Sequence, residues 1–107
     1  MNLPKVISDL IDAQNNFDSI AYTNCFSQTA IVFDEGKTHS GRLDIQQWID
    51  ESNKKYKSVM EPLKYIENGN SSILHAECSG TFPGSPIILK FNFEIVDGQI
   101  ESLKVTD

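Results

Sequence analysis

An α+β fold, with helices covering one face of a largely antiparallel sheet, is what this sequence predicts, and three observations predict it. An apolar stripe at helical spacing opens the chain, at Leu3, Val6, Ile7, Leu10 and Ile11. Strict alternation runs from Ile87 to Val96, with Ile87, Leu89, Phe91, Phe93 and Ile95 on one face and Ile88, Lys90, Asn92, Glu94 and Val96 on the other. Two hairpin signals, Asn68-Gly69 and Asp97-Gly98, separate runs of strand-forming residues in the C-terminal half. Hairpin-linked strands pair antiparallel, and a sheet with one apolar face needs a covering layer, which the helices supply.

In chain order, the first helix takes Asn2 as its cap and Pro4 in its first turn, with Asp9 and Asp12 off the stripe toward solvent. Asn15 and Asn16 break the pattern and let the chain turn. A second, shorter helix is expected from about Phe17 to Cys25, turning Phe17, Ile20, Ala21 and Cys25 toward the core. From Thr29 to Asp34 the residues alternate as a strand, Ala30, Val32 and Asp34 facing one way and Ile31 and Phe33 the other. Gly36 permits a turn, His39 lies in a short extended piece, and Gly41 closes that piece before a third helix. There Ile45, Trp48, Ile49, Ser52 and Tyr56 share one face, and the helix runs to about Tyr56 or Lys57.

Only strands follow. Val59 to Glu67 contains Pro62, which cannot donate to a ladder and points to an edge position or a bulge. Ser72 to Phe82 comes next, then a reversal through Pro83, Gly84, Ser85 and Pro86, then Ile87 to Val96. A two-residue loop at Asp97-Gly98 sets Ile100 opposite Ile95, and Gln99 to Thr106 completes the sheet.

A chain of 107 residues is a single domain, 1–107, able to hide roughly two thirds of its unfolded surface. Hydrophobic content of 39% and charged content of 22% are those of an ordinary globular protein. With 9 basic against 15 acidic residues the net charge is -6, and Lys54, Lys55 and Lys57 stand at a helix end, where they complement the dipole. A nucleic-acid partner is therefore not expected. Neither a basic leader nor an apolar run long enough to span a membrane is present, so no membrane partner is expected. Cys25 and Cys78 lack metal-ligand spacing and read as two reduced, packed thiols, which makes the cytoplasm the expected location.

Asp34 is the main candidate for chemistry. A carboxylate ending an apolar strand face has its pKa raised if burial desolvates it, and such a group suits a general base acting on a carbon acid. The structural alternative is a carboxylate that caps the Gly36 turn or pairs with Arg42. His39 is a second candidate acid or base across the turn, with a structural hydrogen bond as the alternative. Trp48 on the third helix reads as core, its indole N–H needing a partner. His75 belongs on the sheet surface, and the two histidines, differently placed, make no metal site. Cys78 has no visible activating base, and no phosphate loop or cofactor motif is present.

Asp34, Gly36, His39, Gly41, Ile45 and Trp48, followed by Gly80, Phe82, Gly84, Ser85 and Pro86, make the sequence resemble the SnoaL-like family of the nuclear transport factor 2-like superfamily along essentially its whole length. The resemblance implies a cone: a strongly bent, mixed or antiparallel sheet wrapped around an inner pocket and covered by three helices. It also implies a small hydrophobic ligand, a homodimer formed through the outer sheet face, and no cofactor. By that resemblance Asp34 and His39 are the catalytic candidates, and Trp48, Tyr56, Tyr22, Phe91 and Phe93 line the pocket. Asp34 matches the proton-shuttling acid of the superfamily's steroid isomerases, whose relatives include polyketide cyclases and dehydratases. Two oxygen-binding donors of those isomerases have no match, since the first helix offers Leu10 and Ile11 and the penultimate strand Phe91. Two functions follow as expectations: an isomerase, cyclase or hydratase using Asp34, or a non-catalytic homodimeric binding or association domain.

Overall fold

In the computed structural model, which describes all 107 residues, three helices pack on one six-stranded sheet. The elements are α1 (Lys5–Asn15), α2 (Ser19–Thr23), β1 (Phe26–Asp34), β2 (Lys37–Ser40), α3 (Gly41–Tyr56), β3 (Val59–Asn68), β4 (Ser71–Ser79), β5 (Ile87–Val96) and β6 (Gln99–Thr106). The strand order is β2-β1-β6-β5-β4-β3. β3 to β6 form an antiparallel meander, β1 and β2 form a separate hairpin, and α3 carries the chain between them.

The junction of the two units, β1 on β6, is parallel, which makes the sheet mixed. No hairpin joins these strands, so no local turn signal reports their direction. Three irregularities interrupt the ladders, at Phe26/Ile31, Pro62/Lys64 and Glu94/Ile95. Each extra residue bends its strand and increases the local twist, which is how an otherwise flat sheet curls around its helices. Pro62 sits at one of these bulges and on an edge strand at once. The Asp97-Gly98 turn pairs Ile95 with Ile100 as its length requires.

The inner sheet face carries Val32, Leu74, Ala76, Phe93 and Leu103, all buried, against Ile7, Leu10, Ile45 and Ile49 of the helices. On the outer face Ile31, Phe33 and Ile88 are exposed, in keeping with the alternation.

Near the N-terminus the structure departs from the sequence reading. α1 starts at Lys5 with Pro4 as its N-cap and no side-chain cap, two residues later than an Asn2 cap implies. α2 is only five residues long, because Asp18 caps it by accepting the Ala21 N–H at 3.0 Å. Phe17 lies before that cap at φ +54°, and both it and Ile20 are exposed; Tyr22 and Thr23 turn inward instead. β1 starts at Phe26, earlier than Thr29, because Phe26 already pairs with Ile100 ahead of the bulge. β4 ends at Ser79, before a bend through Gly80 to Gly84.

Candidate functional site

Between α3 and the inner face of the sheet lies a cavity of about 430 Å³, open to solvent and with 11 of its 17 lining residues hydrophobic. A larger groove of about 760 Å³ between α1, α2 and the β5–β6 turn is walled by surface aspartates, Asp9, Asp12 and Asp18, with only 5 hydrophobic residues of 13. An apolar enclosure with a few polar groups is the better ligand site, so the inner cavity is the candidate.

Asp34 ends β1 on the same face as the buried Ala30 and Val32, and this parity aims its carboxyl into the cavity. The chain reverses at once through Glu35 and Gly36, at φ +52° and +73°, the two left-handed residues that a tight hairpin turn needs. Glu35 pays about 1 kcal/mol for that backbone conformation and stands on the cavity rim beside Asp34. Burial pushes the Asp34 carboxyl above the usual carboxylate range, and the neighbouring Glu35 charge adds to the rise. The Glu35 backbone N–H, the His39 ring and the Trp48 indole pull more weakly the other way. Arg42 does not pair with Asp34: its Nε donates to the Phe26 carbonyl at 2.8 Å.

Tyr22, Trp48, Tyr56 and Phe91 share the lining with Asp34. Tyr22 is almost fully buried, and burial followed by the Asp34 charge raises its pKa, so its hydroxyl stays protonated as a donor. Tyr56 packs edge-on against Phe82 at 6.2 Å between ring centroids. The cavity brings these residues together with Asp34, but it does not include His39 or Phe93. His39 pairs with Val32 across β1 and β2, its ring stacks on Trp48 at 5.4 Å, and its Nδ1 is 3.9 Å from an Asp44 carboxylate oxygen. It braces the back of the indole that walls the cavity. Phe93 lies in the core, paired with Leu103 and Ser72.

Sequence reasoning missed Gln14, Ser58, Met60, Cys78, Leu89 and Val105 as lining residues. Gln14 had a signal: it continues the i+3, i+4 stripe from Leu10 and Ile11, a polar side chain where the helix faces the core. The two thiols, Cys25 and Cys78, are free and buried, each with its pKa pushed up to about 11 chiefly by burial. Neither is a ready nucleophile. No three His, Cys, Asp or Glu side chains converge as metal ligands, and no helix is long and apolar enough to cross a membrane.

Among solved structures, the chain is similar to a candidate polyketide cyclase from Sinorhizobium meliloti, with 36% identity, 97% of this chain and 95% of that one covered, and a TM-score of 0.93. A Catenulispora acidiphila protein with a ketosteroid isomerase-like fold, in complex with trimethylamine, superposes with a TM-score of 0.88 at 17% identity, over 99% of this chain and 87% of that one. A Cytophaga hutchinsonii protein of unknown function, of the nuclear transport factor 2-like type, gives a TM-score of 0.79 at 19% identity over 94% and 85% of the two chains. At these lower identities the likeness concerns the fold alone. No family model matches the sequence, and neither does any curated protein.

Proposed function

Since the chain belongs to the SnoaL-like family of the nuclear transport factor 2-like superfamily, whose shared fold decides no chemistry by itself, we propose from its own cavity that it binds a small apolar carbonyl compound and moves a proton on it. One observation carries this reading: a carboxyl with a raised pKa, Asp34, faces an apolar cavity together with a protonated buried phenol, Tyr22.

Asp34, ionised, removes a proton from the carbon next to the carbonyl, and the electron pair of the broken C–H bond moves onto the carbonyl oxygen as an enolate. The Tyr22 hydroxyl donates to that oxygen, in place of the two donors this sequence lacks relative to the steroid isomerases. Where a C=C bond is conjugated with the enolate, return of the proton from Asp34 to its far carbon, as the double bonds shift and the carbonyl re-forms, completes an isomerisation. Where a second carbonyl lies in the same molecule, the enolate carbon attacks it, its C=O π electrons move onto oxygen, and the Asp34 proton returns to that alkoxide to complete a cyclisation. His39 acts indirectly, by holding Trp48 against the carboxyl.

The test follows hydrogen–deuterium exchange next to the carbonyl of para-hydroxyphenyl-cyclohexanone by NMR in deuterated water. Wild type is expected to accelerate exchange over buffer, and Asp34→Asn to lose about 100-fold or more of that acceleration. Equal rates for the two proteins would remove Asp34 from any catalytic role.

The reading includes a homodimer formed through the outer sheet face, supported by the family's habit and by Ile31, Phe33, Ile66 and Ile88, which stand exposed there. Two buried free thiols support a reducing compartment, the cytoplasm, as the location.

A further inference from the structure

The far end of the cavity carries a second polar group that the protein satisfies on one side only. Gln14 projects from α1 and is only 8% exposed, yet it lines the cavity. Its Nε2 donates to the Ser58 carbonyl at 2.6 Å and to Asn53 Oδ1 at 3.0 Å. A backbone carbonyl can only accept, so the Ser58 contact decides which end of the Gln14 amide is nitrogen and leaves Oε1 pointing elsewhere. That oxygen accepts no hydrogen bond and is not sealed by its neighbours.

The same logic assigns Asn53. Its Oδ1 must face the Gln14 donor, and its Nδ2 is then buried without a partner. An orphaned buried donor is costly, and here it accompanies an amide held in one orientation. Asn15, the next residue of α1, strengthens the hold by bonding both backbone groups of Met60, at 2.8 and 3.0 Å. Gln14 Oε1 is thus a preorganised acceptor on the wall of an apolar cavity.

Its place relative to Asp34 follows from α3. Trp48, beside Asp34, and Ser52 and Tyr56 line the cavity from successive turns of that helix, which rises about 12 Å from Trp48 to Tyr56. Asn53 and Ser58, and with them Gln14, belong to the Tyr56 end.

We propose that Gln14 Oε1 is the recognition group for a hydrogen-bond donor on the ligand, so that the compound taken by this cavity is elongated and apolar, with its carbonyl at Asp34 and a hydroxyl at the opposite end. This rests on the small-molecule reading above and adds the second functional group. An acceptor already oriented loses little freedom on binding a hydroxyl, and a ligand lacking that hydroxyl displaces water from the acceptor and leaves it unpaired.

Binding is read by quenching of Trp48, the single tryptophan, which lines the cavity and reports occupancy whether or not proton transfer occurs. Three probes share one cyclohexanone: para-hydroxyphenyl, unsubstituted phenyl and para-methoxyphenyl. Wild type is expected to bind the hydroxyphenyl compound about tenfold more tightly than either other probe, although the phenyl compound is the more hydrophobic. In Gln14→Met the three affinities should converge. Equal or inverted ranking in wild type, or an undiminished hydroxyl preference in folded Gln14→Met, would overturn the role of Gln14 and leave the cavity reading standing. Quenching by none of the probes would overturn both. Should Gln14→Met not fold, the wild-type ranking decides alone.

Discussion

Asp34 is where sequence pattern, burial and chemistry meet in a single side chain. Strand parity turns it inward, the cavity desolvates it, and the adjacent Glu35 opposes its ionisation, so the native state holds its proton more tightly than the unfolded chain does. The stability this group contributes is full below the unfolded carboxylate pKa of about 4 and is lost as pH rises through the higher native value. Asp34→Asn removes the ionisable group while keeping its shape. The variant is expected to melt above wild type at neutral pH, with the gap closing below about pH 4. A melting difference independent of pH would show that ionisation of Asp34 does not strain the fold. The property that makes this carboxyl a usable base thus weakens the native state at neutral pH.

At the scale of elements, the junction of α3 with the bend after β4 shapes the Tyr56 end of the cavity. The C-terminal carbonyls of α3 lack helical partners, and Thr81 supplies them: its N–H donates to the Tyr56 carbonyl at 2.7 Å, and its hydroxyl lies 3.1 Å from the Lys55 and Tyr56 carbonyls. Such close approach requires Gly80, because a Cβ there would lie 2.4 Å from the Tyr56 carbonyl oxygen, a backbone atom that cannot step aside. Gly80→Ala should therefore cost about 2 kcal/mol, measured by denaturant unfolding, and should loosen the Tyr56–Phe82 wall. An unchanged midpoint would mean that the bend is free to move. In the sequence Gly80 falls within the expected strand Ser72 to Phe82 and among the residues that carry the family resemblance, but its reason is long-range: the backbone it approaches belongs to another element.

For the whole molecule, the two units of the sheet divide the work. The β1–β2 hairpin carries Asp34 and His39, the meander supplies Phe91, Leu89 and Val105 to the cavity, and the parallel β1–β6 pairing holds the units in register. The outer face of the same sheet is expected to join two copies. Sedimentation at micromolar concentration should return a dimer for wild type and a monomer for Phe33→Glu, since a charge on an exposed apolar strand would be desolvated in the interface. A monomeric wild type would end that expectation. The lining described for the inner cavity comes from one chain, so ligand binding by the monomeric variant should be retained.

Much of this architecture is local in origin and so was legible in the sequence alone. Turn chemistry at Asp97-Gly98, alternation from Ile87 to Val96, and the apolar stripe through Leu10 and Ile11 depend only on nearest neighbours and on period. The inward aim of Asp34 came from the same parity. What depended on long-range contact was not legible. The exposure of Phe17 and Ile20 followed from the Asp18 cap, the direction of β1 on β6 from the path of α3, and the exclusion of His39 from the cavity by the indole it stacks on. The unpaired oxygen of Gln14 is the sharpest case. A glutamine on an apolar stripe is visible in sequence, but only the packing of α1 against Asn53 and Ser58 decides which of its atoms the protein satisfies and which it leaves without a partner.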